Sequence, residues 1–161
     1  MDIQKCMKPS ILILILLINT YLFGESRQFV SYNKGISSAM FFSYPLESGF
    51  YTDNYAYSLQ DSTNIYTFEY TKLHTSDFDP HGEGIGFCWT KVRGERKIRP
   101  AVSIGVKFYN FNRILPTAQC SYSLIWVLNK HLGLQCGLNG NSSIIINYVE
   151  FRAGFLLATL H

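Results

Sequence analysis

Between residues 98 and 108 the chain alternates almost without fault. Pro100, Val102, Ile104, Val106 and Phe108 form one series, and Arg99, Ala101, Ser103, Gly105 and Lys107 form the other. A period of two over this length predicts a β-strand. One of its faces is continuously apolar. The other carries two cations, a hydroxyl and small residues. Residues 84–92 repeat the pattern, with Ile85, Phe87 and Trp89 set against Gly84, Gly86, Cys88 and Thr90. RGERK at 93–97 joins the two arms, so 84–111 reads as a hairpin.

The same reading along the chain predicts six more strands. The first, 38–45, turns Met40, Phe42 and Tyr44 to the apolar side and Ala39, Phe41 and Ser43 to the other, after a lead-in at 27–37. A polar loop follows at 47–54. The second strand, 55–60, is short, with Tyr55, Tyr57 and Leu59 on the apolar side. The third, 65–73, sets Tyr66, Phe68 and Tyr70 against Thr67, Glu69 and Thr71. After the hairpin, 116–128 sets Ala118, Cys120, Tyr122, Leu124 and Trp126 against Thr117, Gln119, Ser121 and Ser123. Residues 132–139 set Leu132, Leu134, Cys136 and Leu138 against Gly133, Gln135, Gly137 and Asn139. The last strand, 148–160, sets Val149, Phe151, Ala153, Phe155 and Leu157 against Glu150, Arg152 and Gly154.

Matching faces across 116–139 requires a turn of odd length, because a slip of one residue would invert every side chain. A turn at 129–131 satisfies this and sets Leu124 opposite Cys136 and Cys120 opposite Gly140. The eight strands are then joined by short turns at 61–64, 94–97 and 129–131, alternating with four longer connections. With both termini at one end, all short turns share that end. Alternating faces and sorted loops predict an all-β fold: an eight-stranded antiparallel up-and-down β-barrel of transmembrane type, apolar outside with a packed polar lumen.

The charges follow the faces. Glu69, Arg99, Lys107, Glu150 and Arg152 all take the inward series, and in so narrow a lumen they are expected to meet as an ion-pair network. Lys72, Lys91 and Arg93 take the outward series near strand ends, where long cations can snorkel to the interface. Trp89 and Trp126 stand near the short-turn end, as an aromatic girdle would.

Composition narrows the class. The 161 residues are 16% aromatic and 16% charged, the latter below the roughly 25% of soluble domains. A net charge of +3 with no long basic run argues against nucleic acid as a partner. Residues 1–26 read as a cleaved signal peptide, with Lys5 and Lys8, then an apolar run over 11–23, then Gly24-Glu25-Ser26. That run contains Asn19 and Thr20 and falls short of the roughly 20 residues a helical span needs. Residues 27–161 form a single domain. Of the four cysteines, Cys6 lies in the leader, and the odd remainder of Cys88, Cys120 and Cys136 argues against a disulfide scaffold.

From residue 38 onward the pattern resembles the small eight-stranded outer-membrane barrels of Gram-negative-type bacteria. The resemblance lies in pattern and not in a sharp motif. It implies an outer-membrane location and a structural, adhesive or host-binding role, or in a few members a lipid-modifying activity. The terminal assembly signal of such barrels, polar-x-Gly-x-x-aromatic-x-aromatic, is met by Arg152 and Gly154. Leu157 and Thr159 stand in its aromatic places, and the chain ends in His161.

Two clusters carry possible chemistry. In HTSDFDPHGE, His74, Asp77, Asp79, His81 and Glu83 offer mixed ligands of the kind that suits Zn²⁺, Mn²⁺ or Fe²⁺. The alternative is a solvated loop. A barrel-borne deacylase of lipid A type would need a Ser–His pair with an acidic orienter. His131 has Ser121 and Ser123 on the strand beside it, but well up from its turn. No cofactor is expected. The sequence thus predicts a monomeric barrel with membrane lipid around it, no large pore, and outer loops free to bind an extracellular ligand or host partner. The alternatives are a soluble lipocalin-like barrel binding an apolar ligand inside, which would reverse the faces, or the deacylase.

Overall fold

The hairpin at 84–111 is present as β5 (Glu83–Val92) and β6 (Ile98–Asn110). The two are paired so that Trp89 faces Ile104 and Thr90 faces Ser103. The structure, a computed structural model, describes residues 27–41, 44–45, 50–74, 82–110, 114–144 and 146–158. Its other strands are β1 (Arg27–Phe41), β2 (Tyr44–Pro45), β3 (Phe50–Asp61), β4 (Asn64–His74), β7 (Ile114–Val127), β8 (Leu132–Ser142) and β9 (Ile146–Ala158). β2 is a two-residue extension folded onto the end of β1. The other eight strands run antiparallel in sequence order, and β9 pairs back onto β1. The sheet is therefore closed, with no free edge between its first and last strands.

The register gives the barrel's stagger. Starting at Val30, the cross-strand partners are Tyr57, Phe68, Phe87, Val106, Ala118, Ser142 and Asn147. Asn147 then pairs with Met40, so one circuit returns to β1 ten residues beyond its start. A stagger of this size tilts the strands by about 40° and leaves an interior that side chains can fill. It also means that residues on one cross-strand row climb steadily around the barrel.

The faces follow the predicted parity. Inward positions are polar or small: Ser31, Asn33, Thr52, Asn54, Glu69, Thr71, Thr90, Ser103, Lys107 and Glu150 are all buried. Outward positions are apolar and exposed, including Phe68, Ile85, Phe87, Val102, Ile104, Val106, Phe108, Leu124, Leu138, Phe151 and Phe155. Trp89 and Trp126 are exposed on the same face, towards the end that holds the termini. A soluble barrel with an apolar interior would show the reverse. A small apolar cluster of Ile65, Val92 and Ala101, with Ile125 against it, lines the lumen towards the short-turn end.

Several boundaries differ from the sequence reading. The expected lead-in at 27–37 is most of β1, paired with β3 from Arg27↔Gln60 to Ser37↔Phe50. The expected loop at 47–54 is strand from Phe50. Within β3, Tyr57 is paired with exposed Val30 and Phe68, and Leu59 with Gln28 and Tyr66, so both keep the outward register but are themselves buried. At the end away from the termini, two connections expected to be long are short. β6 and β7 are separated only by 111–113, and β8 and β9 only by 143–145. The sorting of loops by length therefore holds for 42–49 and 75–82 and not for all four.

The short turns agree with expectation. Asp61↔Asn64 closes β3–β4 around Ser62, at φ 54°, and Gly94 takes φ 77° between β5 and β6. At 129–131 the Asn129 side chain accepts hydrogen bonds from the backbone N–H groups of His131 and Leu132. Leu124↔Cys136 and Cys120↔Gly140 are in register, and Cys120 and Cys136 are free and exposed.

Candidate functional site

Four inward charges from three strands meet in one layer of the lumen. Glu69 comes from β4, Lys107 from β6, and Glu150 and Arg152 from β9. Lys107 Nζ lies 2.5 Å from Glu69 Oε1, and Arg152 Nη1 lies 3.0 Å from Glu69 Oε2. Arg152 also pairs with Glu150, its Nε donating at 2.5 Å to Oε1. Two carboxylates thus face two cations, joined through Arg152 into one chain.

The remaining lone pairs are met by neutral groups. Thr52 Oγ1 donates to Glu150 Oε2 at 2.7 Å, and Asn139 Nδ2 donates to Oε1 at 2.7 Å. Lys107 donates to Thr71 Oγ1 at 3.0 Å, and Asn54 Nδ2 donates to Thr52 Oγ1 at 2.9 Å. Burying charge is costly unless it is paired, and here each of the four charges meets an opposite charge, while Asn139 Oδ1 is left without a hydrogen-bond partner.

Glycines make the layer possible. Gly86 of β5 stands directly between Glu69 and Lys107 in the register. With no side chain there, Lys107 can cross over β5 to reach Glu69. Gly35 of β1 lies opposite both Thr52 and Arg152, and a Cβ on it would run into the Thr52 hydroxyl and the Glu150 carboxylate. The carboxylate occupies the space a side chain would need.

Tyr109 and Tyr148 close the lumen next to this layer, with their buried hydroxyls 2.5 Å apart. The Tyr109 ring lies where a Gly84 side chain would stand. Lys107 and Glu150 are wholly buried, so the layer blocks the passage. Towards the short turns the lumen becomes hydroxyl-rich, lined by Ser58, Thr67, Thr90, Ser103, Ser121 and Ser123, and encloses about 70 Å³. That is room for a few waters and not for a pore.

Arg99, expected in the same network, is not in it. It lies one residue into β6, where its Nε donates to the Arg96 carbonyl at 3.0 Å. It lines a second cavity at that end with Arg27, Lys130 and His131. Its inward parity agrees with the sequence reading, but it stands level with the turn and away from the charged layer. Removing it leaves the network balanced, two charges against two.

Of the candidate metal ligands, Asp77, Asp79 and His81 lie outside the described residues. His74 and Glu83 fall on the outward face near the rim, and His74 Nε2 is 2.8 Å from Asp53 Oδ2. No group of three His, Cys, Asp or Glu residues able to hold a metal occurs among the described residues. The serine–histidine arrangement does not assemble. Ser123 is inward and accepts a hydrogen bond from Gln135, and its register partner is Gly137, well up β8 from the His131 turn. Sequence reasoning missed the neutral partners Thr52, Asn54, Thr71 and Asn139. Their inward parity was the available signal for Thr71 and Asn139.

No protein-family profile matches the chain, and no curated protein sequence matches it. Solved structures do. Neisserial surface protein A (NspA) superposes with a TM-score of 0.66 at 9% identity, over 82% of this chain and 97% of that one. Ail, the attachment invasion locus protein of Yersinia pestis, solved with the heparin analogue sucrose octasulfate, gives 0.57 at 10%, over 84% and 99%. The outer membrane enzyme PagL gives 0.54 at 12%, over 81% and 99%. The fold is that of the small eight-stranded outer-membrane barrels. At these identities the likeness extends to the fold alone. The matched structures include both a surface attachment protein and an enzyme.

Proposed function

We propose that this chain is an integral outer-membrane protein of a Gram-negative-type bacterium. In this reading it is a sealed, monomeric barrel that anchors its outer connections at the cell surface. One observation carries the reading. The exposed face of the barrel is apolar while its interior is charged and polar, an arrangement stable only with hydrocarbon outside. A leader at 1–26, removed on export, would deliver the chain to that membrane. The fold shared with NspA and Ail supports a surface-binding role, and the connections at 42–49 and 75–82 are the surfaces that would carry it.

The packed lumen gives the barrel a structural part to play and not a transport one. The charged layer ties together the wall on which those connections stand, through ion pairs between β4, β6 and β9. The enzymatic reading has less support, since the serines and His131 do not come together. The test is refolding of the mature chain into detergent or lipid. An inserted barrel resists urea and migrates differently in SDS before and after heating. A chain that stays monomeric and soluble without detergent overturns the reading.

A further inference from the structure

Arg27 opens β1 and Arg99 stands one residue into β6, both in the inward series. Around the closed sheet β6 is four strands from β1 in either direction. The two arginines therefore stand on opposite walls of the lumen, at the end that holds the short turns. Both line the cavity of about 90 Å³ there, and Lys130 and His131 of the β7–β8 turn line it from a third side. Among the described residues that line it there is no Asp or Glu. Neither arginine nor Lys130 has an ion-pair partner among the described residues. Arg99 donates from Nε to the Arg96 carbonyl, and its Nη groups donate to no other described residue.

The inner wall of the cavity is apolar, formed by Phe29, Ile65, Val92, Ile125 and Leu156. Ile65, Ile125 and Leu156 also line the hydroxyl-rich cavity above, so they stand between this mouth and the charged layer. The carboxylates of that layer are engaged by Lys107 and Arg152 and do not line the mouth. The surrounding turns add to the positive charge. Lys91, Arg93, Arg96 and Lys97 outnumber Asp61 and Glu95, the carboxylates of the described residues there. An apolar-walled recess ringed by charge of one sign focuses its field and draws a counter-ion.

We propose that this mouth binds a tetrahedral oxyanion of the phosphate class on the barrel axis. Arg27, Arg99 and Lys130 approach it from three sides. A tetrahedral anion presents an oxygen towards each of them, whereas the two oxygens of a carboxylate lie along one edge. The free Nη groups of Arg99 suit two of those oxygens, in the forked geometry that guanidinium favours. Free phosphate and the phosphate of a lipid headgroup share this chemistry. The site does not rest on the membrane reading above. It needs only the closed register and the gathering of the short turns at one end.

The test titrates inorganic phosphate into the mature protein in octyl glucoside micelles, read by calorimetry. The expected result is saturable binding that sulfate competes away and acetate at the same concentration does not. Affinity falls severalfold in Arg27→Gln/Arg99→Gln and is kept in Lys91→Gln/Arg93→Gln, which removes cations of the same end that lie outside the cavity. Heat-dependent SDS migration checks that each variant is folded. Lys130→Gln, a single change in an exposed turn, weakens binding in the same sense and serves if the arginine pair is needed for folding. Absence of saturable binding overturns the proposal, as does equal competition by acetate. An equal loss in the Lys91/Arg93 variant also overturns it, since the anion would then answer to diffuse surface charge. Dihexanoyl phosphatidic acid separates the sources. Tighter binding than inorganic phosphate, lost in the same variants, assigns the site to a lipid headgroup, and equal or weaker binding assigns it to free phosphate; either sustains the proposal.

Discussion

Lys107 and Glu69 form an ion pair although their strands are not neighbours. β5 runs between them, and Gly86, opposite both, leaves the gap through which Lys107 Nζ comes within 2.5 Å of Glu69 Oε1. The pair binds β4 to β6 over the top of β5. Arg152 extends the tie to β9. Together with the Thr52–Glu150 hydrogen bond across β1, this gives the barrel links through its interior beyond the ladder between neighbouring strands.

Breaking that link should be costly. Glu69→Gln leaves Lys107 wholly buried with no carboxylate at its ammonium and removes a partner of Arg152. The expected loss is about 3–5 kcal/mol, as for a buried pair that loses one member. Urea unfolding in lipid vesicles measures it. The double variant Glu69→Gln/Lys107→Met should recover part of the loss, and Glu150→Ala should behave like Glu69→Gln.

Arg99 provides the contrast. It makes one hydrogen bond to a turn carbonyl, so Arg99→Gln should shift stability by no more than about 1 kcal/mol, as most substitutions away from packed networks do. Arg152→Gln, at the centre of the layer, should exceed it severalfold in the same urea titration. Equal effects would mean that the charge layer extends to the turn.

The glycines should be intolerant in proportion to what fills their space. Gly35→Ala sets a methyl against the Thr52 hydroxyl and the Glu150 carboxylate, and Gly84→Ala sets one against the Tyr109 ring. Overpacking of this kind costs about 1–3 kcal/mol. Gly140→Ala, whose nearest neighbour is a carbonyl 3.7 Å away, should be close to neutral. Thermal unfolding of the three variants side by side gives the order.

The strands that could be read from sequence are those whose outward series is unbroken. From Pro100 to Phe108 no charge enters that series, and β6 was placed to within a few residues. β1 and β3 extend beyond the strands expected at 38–45 and 55–60, and Lys34 and Asp53 occupy outward positions in the added parts. A charge on the lipid side suggests a loop to any reading based on alternation alone. In the barrel these two are cross-strand partners within the β1–β3 ladder, and Asp53 is held there by Tyr32 and His74. Parity tells a residue's face but not its height. Height depends on the stagger between strands, which only the closed register supplies. The same limit explains Arg99, inward by parity yet level with the turn. Gly86 was visible as a small inward residue, but its purpose depends on which two charges it separates.

The face assignment predicts opposite outcomes for adjacent residues of β6. Ile104 is exposed at mid-strand, and Ser103 is buried with its hydroxyl 2.7 Å from that of Thr90. Ile104→Arg should cost roughly 2–4 kcal/mol in lipid and lower the inserted fraction. Ile104→Leu should be neutral. Flotation of vesicles after refolding separates inserted from aggregated chain.

The sealed lumen should carry little current. With Lys107, Glu150 and Tyr109 filling the cross-section, planar-bilayer recordings of the intact protein should show no steady open level above background. A large, stable conductance would require a water-filled path through the charged layer and would contradict the packing described.

The central claim, that the apolar face meets lipid, has built-in reporters. Trp89 and Trp126 are the chain's two tryptophans, and both lie exposed on the outward face. The decisive measurement is their fluorescence in vesicles of phosphatidylcholine brominated near the top of the acyl chains, with aqueous iodide as the opposing quencher. The account predicts strong quenching by the bromolipid and weak quenching by iodide. Emission indifferent to the bromolipid, from protein that remains soluble without detergent, would contradict it.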